Sequence, residues 1–490
     1  MRSHYKRQLV CMLFGVMFCM PTQSAAEELT IFETVKRALQ NNYRIAIIQK
    51  EIEISRYTLL SNRGLYDPRL AMNVSYVDSE EKQVSTVFGT RTRTTDLGLG
   101  IDQYLFTGGE LGVSVSGQKY DSNSIFLTLN PSYSSKLSLD FSQPLLRNFW
   151  GKQDKEAIFL SKQGVLIADQ QVYEQIADFI VHIHQLYWNV VMETKRVGIL
   201  KDSLQRAKNL LEHYRKKYRL GLVEETDILQ LEAVIAIRET ELLRAEDAKQ
   251  NARDELVSAL YARGLAENRD ITPAESFFIP DETYEREPLD DIRQIAFAKR
   301  WDINRAQYEL ENAAYRMRAR RNEHLPALDF IGNLSYTGLG GGRKDSYNSI
   351  KSGDYPIWST GLVFSLPIGN RRLSGRYQIA QEEYEIARLQ REEVEKNILL
   401  ETAALYRHLE TSITSVQAAL KAERLHEKKL KLEEEKFRQG RSSVKMVIDF
   451  QDDLENAQLI SLQNMIDFTI TQVRLEYATG TLLEHYVVPE

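Results

Sequence analysis

Two kinds of apolar periodicity alternate along the chain, and each predicts a different element. In RLAMNVSY, residues 69–76, apolar and polar side chains alternate with the two-residue period of a β-strand. The same alternation recurs in LDFIGNLSY, residues 328–336, and again before Pro144 and before Pro367. A soluble sandwich explains such two-faced strands almost as well as a membrane sheet does. Strands of about ten residues span a bilayer when tilted, so the membrane sheet becomes the better explanation if the chain is exported.

After the strands, apolar residues follow the alternating three- and four-residue spacing of a coiled-coil seam. The first such run extends from Ile183 to Tyr218, within a predicted helix that starts near Gly151. A helix of about 70 residues is roughly 100 Å long, which is far more than a globular core needs. Residues 228–245 carry a second seam, which can pack along the first.

Single glycines interrupt both of the long helical patterns. Gly221 lies in KYRLGLVEETDILQ, and Gly440 lies in KFRQGRSSVKMVID. Glycine costs about 1 kcal/mol in a helix interior but is favoured just past a helix C-terminus. Each glycine therefore predicts a tight turn between two helices, and Thr226 or Asp227 is expected early in the helix that follows Gly221.

The chain repeats one unit twice. ALQNNYRIAIIQ from Ala38 matches AFAKRWDINRAQ from Ala296 at an offset of 258 residues, and each segment leads through a proline, Pro68 or Pro326, into a predicted strand. Each copy is predicted to contain a helix, strands, a long helix, a glycine turn and a second long helix. The divisions that we expect are a signal peptide at 1–26, a first repeat at 27–280 and a second repeat at 281–490.

The first copy contains an insertion that the second lacks. Residues 92–120 alternate with a two-residue period on both sides of Thr107-Gly108-Gly109, which predicts an added hairpin with a glycine turn. The sequence leaves open whether this hairpin adds strands to the sheet or lies outside it. In the second copy, residues 339–355 are glycine-rich and polar and lack the GK[ST] ending of a phosphate-binding loop, so they are expected to form a surface loop.

The first 26 residues have the organisation of an export signal. A basic start and an apolar stretch, QLVCMLFGVMFCM, precede small residues at Ser24, Ala25 and Ala26. The order of these features favours a signal over a short buried helix, which is the alternative. Both cysteines, Cys11 and Cys19, lie in this segment, so the mature chain would have neither a disulfide nor a thiolate site.

Charge and composition disfavour several other classes of protein. Removal of the signal would take away three cationic and no acidic residues and move the formal net charge from −6 to −9, which disfavours a nucleic-acid partner. No run of about 18 apolar residues follows the signal, so any membrane insertion would use strands. His182 and His184 diverge on a predicted helix, and neither HExxH nor GxSxG occurs. We therefore expect no enzyme activity, no metal site and no cofactor.

The predicted strands are too few to close a barrel within one chain. One copy of the chain supplies four strands, or six if the inserted hairpin joins them, whereas about eight are needed even for a barrel filled by its own side chains. An open sheet edge is not tolerated in lipid, so several chains would have to share one barrel. The helical hairpins would then form a ring below that barrel, and the assembly would be a tube.

In the order and duplication of these elements, the sequence resembles the TolC-like outer-membrane efflux proteins over nearly the whole chain after the signal. The segments that carry the resemblance are the helix and strand around Pro68 and Pro326, Leu220-Gly221-Leu222 with Thr226-Asp227, the turn from Phe437 to Gly440, and ATGTLL at 478–483. The resemblance implies a mixed α and β membrane protein, in which a homotrimer shares one β-barrel in the cell outer membrane. A long α-helical barrel of coiled-coil hairpins would continue this barrel into the periplasm.

The resemblance also implies a function. The chain would be the outer-membrane channel of a tripartite export system, docked onto a periplasmic adaptor (membrane fusion) protein and an inner-membrane transporter. A soluble periplasmic coiled-coil scaffold is the alternative, but it leaves the duplicated two-faced strands unexplained. The sequence does not distinguish drug, metal or protein as the exported substrate.

A periplasmic gate is implied by the same resemblance. In the best-known members an aspartate six residues after the first glycine bonds to a tyrosine three residues before the second glycine and to an arginine two residues after it. Here the aspartate is Asp227, but the tyrosine position holds Phe437 and the arginine position holds Ser442. Arg438 or Arg441 could substitute, because a guanidinium can reach a carboxylate from a neighbouring turn.

The family also places acidic rings six and nine residues after the second glycine. This chain has Met446 at the first position and Asp449 at the second. We therefore expect one acidic ring, at Asp449, above an apolar constriction near Met446, and a closed state held more weakly than in the family. An ordinary solvated helix carboxylate is the alternative for Asp449. The residues expected to form the adaptor-docking tips are Leu220, Gly221, Leu222, Gln439, Gly440 and Arg441.

Overall fold

A computed structural model of the chain describes residues 27–82, 84, 87, 89–261, 271–280 and 287–486. The signal expected at 1–26 lies outside the described residues. Of the boundary expected between residues 280 and 281, only residue 280 lies within them. The described chain divides into two units. A helical unit comprises the residues up to Ile52, Asp169–Arg305 and the residues from Glu392 onward, and a second unit, which contains the large sheet, comprises Glu53–Ala168 and Ala306–Arg391.

The elements follow one another in the order that the sequence predicts. The strands are β1 (Glu27–Leu29), β2 (Arg69–Glu80), β3 (Arg91–Tyr104), β4 (Glu110–Ser122), β5 (Ser132–Pro144), β6 (Ile271–Pro273), β7 (Ala327–Gly340) and β8 (Pro356–Ser365). The helices are α1 (Ile31–Asn41), α2 (Tyr43–Arg63), α3 (Asp154–Tyr218), α4 (Glu225–Leu260), α5 (Leu289–Lys299), α6 (Trp301–Glu323), α7 (Arg343–Ser352), α8 (Arg371–Arg438), α9 (Val444–Thr479) and α10 (Leu482–Tyr486).

Six strands form one antiparallel sheet in the order β2-β3-β4-β5-β7-β8. The question that the sequence left open about the hairpin within 92–120 is thereby answered. This hairpin consists of β3 and β4, and it lies between β2 and β5 as part of the sheet. Each of its strands is paired along nearly its whole length on both sides, so the described part of the chain contributes six strands to the sheet.

The sheet has two chemically different faces, as the alternation predicts. One face, called the apolar face below, carries large side chains that stay exposed in a single copy of the chain. They are Leu70, Met72, Val74, Tyr76, Leu97, Leu99, Ile101, Val113, Val115, Leu139, Leu334, Trp358, Leu362 and Phe364. The opposite, polar face carries serine, glycine and carboxylate residues, and a concave site on it is lined by Asp102, Glu110, Asp140 and Asn333. Monomeric soluble proteins rarely expose so continuous an apolar surface.

The expectation of a plain surface loop at 339–355 is wrong, because these residues contain α7. This helix packs on β5 and β7 through Ser346, which is fully buried and whose hydroxyl lies within hydrogen-bonding distance of the Ser135 hydroxyl, at 2.7 Å, and of the Gly338 carbonyl, at 3.0 Å. A Cβ atom at Gly338 would lie 2.0 Å from the Ser346 carbonyl oxygen, so the close approach requires glycine there. Glycine at this place therefore allows a helix to pack closely on the sheet.

The duplication extends to details of the backbone. In both copies the helix before the first strand is broken once, at Asn42 and at Arg300, which are 258 residues apart. The Asn42 side-chain amide donates to the Ala259 carbonyl at 2.8 Å, and Arg300 donates to the Ala478 carbonyl at 3.2 Å. Each break is therefore held against the end of the returning helix of its own copy.

The two long hairpins also repeat closely. Both returning helices, α4 and α9, are 36 residues long, and the residues of one lie 219 positions after those of the other. In the first hairpin, ion pairs recur every seven residues between α3 and α4, which is the spacing of an antiparallel coiled coil. They are Lys201–Glu246 at 2.8 Å, Lys208–Glu239 at 2.7 Å and Arg215–Glu232 at 2.6 Å.

The core of the helical unit is centred on α3. Tyr187 is fully buried there, and its hydroxyl donates to the Leu29 carbonyl at 3.0 Å, which ties α3 to the short strand β1. Leu482 in α10 is also fully buried, so the final predicted motif, ATGTLL, closes on the same core. None of the helices in the described ranges has a stretch long and apolar enough to cross a bilayer.

Candidate functional site at the two helical turns

The two glycine turns have the same backbone geometry. Gly221 and Gly440 have φ values of 73° and 75°, in the left-handed region that glycine adopts without strain. In the first turn, the N–H of Gly221 bonds to the Tyr218 carbonyl at 2.9 Å and that of Leu222 bonds to the Lys217 carbonyl at 3.1 Å. The second turn repeats both bonds at 3.0 and 2.9 Å. Each helix thus ends in a Schellman motif, and the predicted turn positions are confirmed.

The outer surfaces of the turns differ in chemistry. Leu220 and Leu222 are 73% and 68% exposed, so the first turn presents two apolar side chains to its surroundings. The corresponding positions of the second turn hold Gln439 and Arg441, which are exposed and hydrogen-bonded to each other at 3.2 Å. A partner that binds both turns would therefore meet one apolar and one polar surface.

Phe437 lies inside the protein, beneath the turns. It is 5% exposed, and its ring stacks on Tyr214 with the centroids 5.5 Å apart and the planes 13° from parallel. The Lys217 ammonium lies 4.9 Å from the centre of the Phe437 ring. Tyr214 and Phe437 belong to one apolar cluster that draws residues from α3, α4, α8 and α9, so the two hairpins of one chain are packed together here.

Tyr214 supplies a hydroxyl in a region where the sequence predicts none. Burial raises the pKa of this hydroxyl to about 12, the carboxylate of Asp227 acts in the same direction, and the backbone N–H of Val444 acts against both. The pKa of Tyr214 thus depends on residues in the first turns of both returning helices. The sequence identified it only as a position of the coiled-coil seam, because nothing local distinguishes a seam tyrosine from a residue that joins two hairpins.

Ser442, at the position where the resemblance leads one to expect arginine, has a different role. Its hydroxyl donates to Glu433 at 2.6 Å, and the Lys436 ammonium donates to the other carboxylate oxygen at 3.0 Å. The Ser442 hydroxyl and then Lys436 hold the pKa of the Glu433 carboxyl below its usual value. Ser442 therefore ties the residues after the second turn back to α8.

The two arginines proposed as substitutes bond within their own segment of the single chain. Arg438 donates to the Glu434 carbonyl at 3.4 Å, and Arg441 donates to Gln439. Among the described residues of one copy, no ion pair joins Asp227 to Arg438 or Arg441. Any such contact would have to be made between copies of the chain.

Met446 and Asp449 both lie on the exposed side of the first turns of α9, whereas Val447 and Ile448 between them are buried. The next carboxylates along the helix are already paired, Asp452 with Arg238 at 2.6 Å and Asp453 with Lys429 at 2.8 Å. In the described part of a single chain, Asp449 has no such ion pair. Its charge is therefore available to the surroundings.

The two returning helices carry their acidic residues one turn apart. At the offset of 219 residues, Asp227 in α4 corresponds to Met446 in α9, and Gln230 corresponds to Asp449. The carboxylate in the first two turns of α9, Asp449, therefore lies three residues farther along its helix than Asp227 does on α4, which also carries Glu225. The duplication preserves the backbone here but not the chemistry.

A buried arginine joins the hairpins farther from the turns. Arg238 is 4% exposed, and its guanidinium donates to the Ser203 carbonyl at 3.0 Å, to Gln451 at 3.1 Å and to Asp452 at 2.6 Å. These bonds connect α3, α4 and α9. Because a buried guanidinium is costly unless it is paired, they fix the relative positions of the helices below the turns.

Replacement of Phe437 by leucine is expected to loosen the two turns. The change removes the ring that stacks on Tyr214 and the contact with the Lys217 ammonium, which together contribute about 1–2 kcal/mol. Amide hydrogen exchange in the last turns of α3 and α8 should become roughly 5 to 30 times faster. The matched control is Tyr218→Leu, which changes the corresponding position of the first copy, where the side chain is 45% exposed. Equal acceleration in both variants would contradict the inter-hairpin role of Phe437.

Comparison with known proteins finds similarity to outer membrane efflux proteins and to protease secretion proteins. The sequence profile described as outer membrane efflux protein matches residues 292–481. The proteases secretion protein PrtF of Dickeya chrysanthemi is 23% identical over 307 residues, which cover 60% of this chain and 63% of that protein. The alkaline protease secretion protein AprF of Pseudomonas aeruginosa is 22% identical over 370 residues, which cover 74% of this chain and 65% of that protein. The chain thus spans somewhat less than two thirds of the length of these relatives.

The fold is shared with solved outer-membrane channels. The outer membrane protein VceC of Vibrio cholerae has a TM-score of 0.66 at 16% identity, with 92% of this chain and 96% of that chain covered. This likeness concerns the whole described fold, whereas the profile match lies in the second repeat. The second half of the chain thus matches the outer membrane efflux protein family, and the described fold is that of solved outer-membrane channels.

Proposed function

We propose that the chain is the outer-membrane duct of a tripartite export system, which passes substrates from an inner-membrane transporter and a periplasmic adaptor to the outside. The observation that carries the proposal is the six-stranded sheet, whose apolar face is exposed and whose two edge strands, β2 and β8, each lack a strand partner on one side among the described residues. A lipid environment explains the exposed face, and sharing of the sheet between copies explains the edges. The helical turns then serve as the periplasmic end of the duct.

The names of the relatives favour a polypeptide as the exported substrate. PrtF and AprF are both described as protease secretion proteins, and both align over more than half of this chain. A polypeptide is also consistent with the absence, among the described residues, of any group of three or more His, Cys, Asp or Glu side chains placed to hold a metal ion. The partners of the duct would be an adaptor, a transporter, outer-membrane lipid and two further copies of the chain, with no nucleic acid.

Native mass measurement of the detergent-extracted protein should show a trimer. Six strands from one chain cannot close a water-filled barrel, and three chains are the number implied by the family resemblance. The protein should require detergent for extraction, because its apolar sheet face contacts lipid. A folded, membrane-inserted monomer would contradict the shared barrel. Release into buffer without detergent would favour the alternative, a soluble periplasmic scaffold.

A further inference from the structure

We propose that the β3–β4 hairpin widens the outer-membrane end of the duct, so that three chains close a barrel of eighteen strands whose opening is wide enough for two α-helices side by side. The inference rests on the proposed duct and adds the width of its barrel. It comes from the comparison of the two copies within the chain. The second copy contributes two strands, β7 and β8, whereas the first contributes four, β2 to β5.

The length difference between the copies corresponds to this hairpin. The helices before the sheet repeat at an offset of 258 residues and the hairpins after it repeat at 219, so the first copy has 39 residues more. The strands β3 and β4 with the turn between them span Arg91–Ser122 and account for most of this difference. The hairpin is therefore a discrete addition to a unit of two strands per copy.

The added strands are continuous with the rest of the sheet on both faces. On the apolar face, Met72 lies opposite Leu99, Leu99 opposite Val115, and Val113 opposite Leu139. On the polar face, the Ser114 and Ser138 hydroxyls are 2.7 Å apart, and Gln118 donates to Asp96 at 2.8 Å. A hairpin that lay outside the barrel wall would not need to continue both surfaces.

With two added strands, the edge strands of neighbouring copies can still pair antiparallel. Every neighbouring pair is antiparallel, so β2 and β8, the first and the sixth strand of the order, run in opposite directions. The free edge of β8 in one copy can therefore pair antiparallel with the free edge of β2 in the next copy. An insertion of one strand would make these edges parallel, whereas an insertion of a hairpin keeps them antiparallel.

The extra strands have a large effect on the diameter. Eighteen strands spaced about 4.8 Å apart and tilted by about 40° close at a backbone diameter of about 36 Å, whereas twelve close at about 24 Å. Side chains occupy about 5 Å on each side, which leaves openings of about 26 Å and about 14 Å. An α-helix with its side chains is about 10–12 Å wide. The narrower barrel would admit one helix, and the wider barrel admits two side by side.

The polar face of the hairpin keeps this opening clear. Its central positions are small residues, Gly98 and Gly100 in β3 and Gly112, Ser114 and Ser116 in β4. Such residues widen the barrel without occupying its interior. They also provide no apolar surface that would retain an unfolded or partly folded chain.

The test compares the natural protein with a variant that lacks residues 84–122, which removes 39 residues and leaves β2 and β5 free to pair antiparallel. Electron cryomicroscopy of the trimers in lipid nanodiscs should show eighteen strands in the natural protein and twelve in the variant. In planar bilayers, polyethylene glycols of graded size added at the outer face should enter the natural barrel up to a radius of about 13 Å and the variant barrel up to about 7 Å, following the openings estimated above. Deletion of residues 125–129, in the loop between β4 and β5, leaves all six strands and should keep the natural limit.

A natural trimer whose barrel has twelve strands, with the hairpin outside the wall, would overturn the inference and leave the proposed duct intact. The same polymer limit for both trimers would overturn it as well. If the shortened variant does not assemble, the strand count of the natural trimer decides alone. A natural protein that does not form a trimer would overturn the proposed duct itself.

Discussion

Replacement of both Gly221 and Gly440 by tryptophan is expected to abolish export while the trimer still assembles. Apart from the two adjacent residues, no heavy atom of the described chain lies within 4 Å of a Cβ atom built at either glycine, so the fold has room for a larger side chain. The remaining cost is the left-handed backbone conformation, about 1–2 kcal/mol for each residue, which two long packed hairpins can absorb. The tryptophans would project from the surface on which we propose that the adaptor docks, and they would prevent close contact there.

This variant should therefore lose export and adaptor binding but still assemble into a trimer. Export is measured with cells that carry the variant, adaptor binding with the purified proteins, and assembly by native mass measurement. Gly369→Trp is the matched control, because Gly369 also has a positive φ, 85°, and the described chain places no atom within 4 Å of its Cβ position apart from the adjacent residues, but it lies between β8 and α8. Undiminished export by the double tryptophan variant would rule out a docking role for the turns.

The turns could be predicted from sequence because their requirement is local. A helix that ends in a Schellman motif needs a residue with positive φ, and glycine meets this need wherever it occurs in such a pattern. The helix breaks at Asn42 and Arg300 could not be predicted in this way. They depend on the carbonyls of Ala259 and Ala478, which lie far away in the sequence. The pattern of apolar residues alone gives no sign of such a contact.

The place of the inserted hairpin and the burial of Phe437 also depend on contacts between residues that are far apart in the sequence. The apolar alternation of residues 92–120 fits a hairpin inside or outside the sheet, and only the pairing of β3 with β2 and of β4 with β5 decides between them. Likewise, the family resemblance implies a place in the gate for Phe437, three residues before Gly440. The structure shows it packed on Tyr214, which comes from the other hairpin, so its burial was not visible in the local sequence. Sequence spacing predicts the positions of the two turns, and tertiary contacts determine how each residue packs there.

Replacement of Asp449 by asparagine is expected to lower the cation selectivity of the channel and its block by multivalent cations. Asp449 is exposed on α9, and the adjacent carboxylates of Asp452 and Asp453 are already neutralised by Arg238 and Lys429. In a trimer, three copies of this unpaired carboxylate would surround the duct axis. A ring of like charges in a narrow, water-filled passage concentrates counter-ions and excludes ions of its own sign.

The size of the effect follows from the potential that the ring creates. A potential of one kT raises the cation concentration and lowers the anion concentration by the same factor, so its loss changes their ratio by about sevenfold. Permeability ratios from reversal potentials in planar bilayers, in a gradient of potassium chloride, measure this ratio directly. Low salt should enlarge the difference between the natural protein and the variant, because the Debye length increases from about 10 Å at 0.1 M to about 30 Å at 0.01 M.

A second variant tests whether position or only total charge matters. Asp453→Asn removes a carboxylate from the same helix, four residues along, but that carboxylate pairs with Lys429 at 2.8 Å. We expect it to change the permeability ratio less than Asp449→Asn does. If Asp449→Asn leaves both the selectivity and the multivalent block unchanged, Asp449 is an ordinary surface carboxylate. The constriction would then be formed by Met446 and by residues of α4 such as Asp227, which carries its charge one helical turn earlier in the first copy.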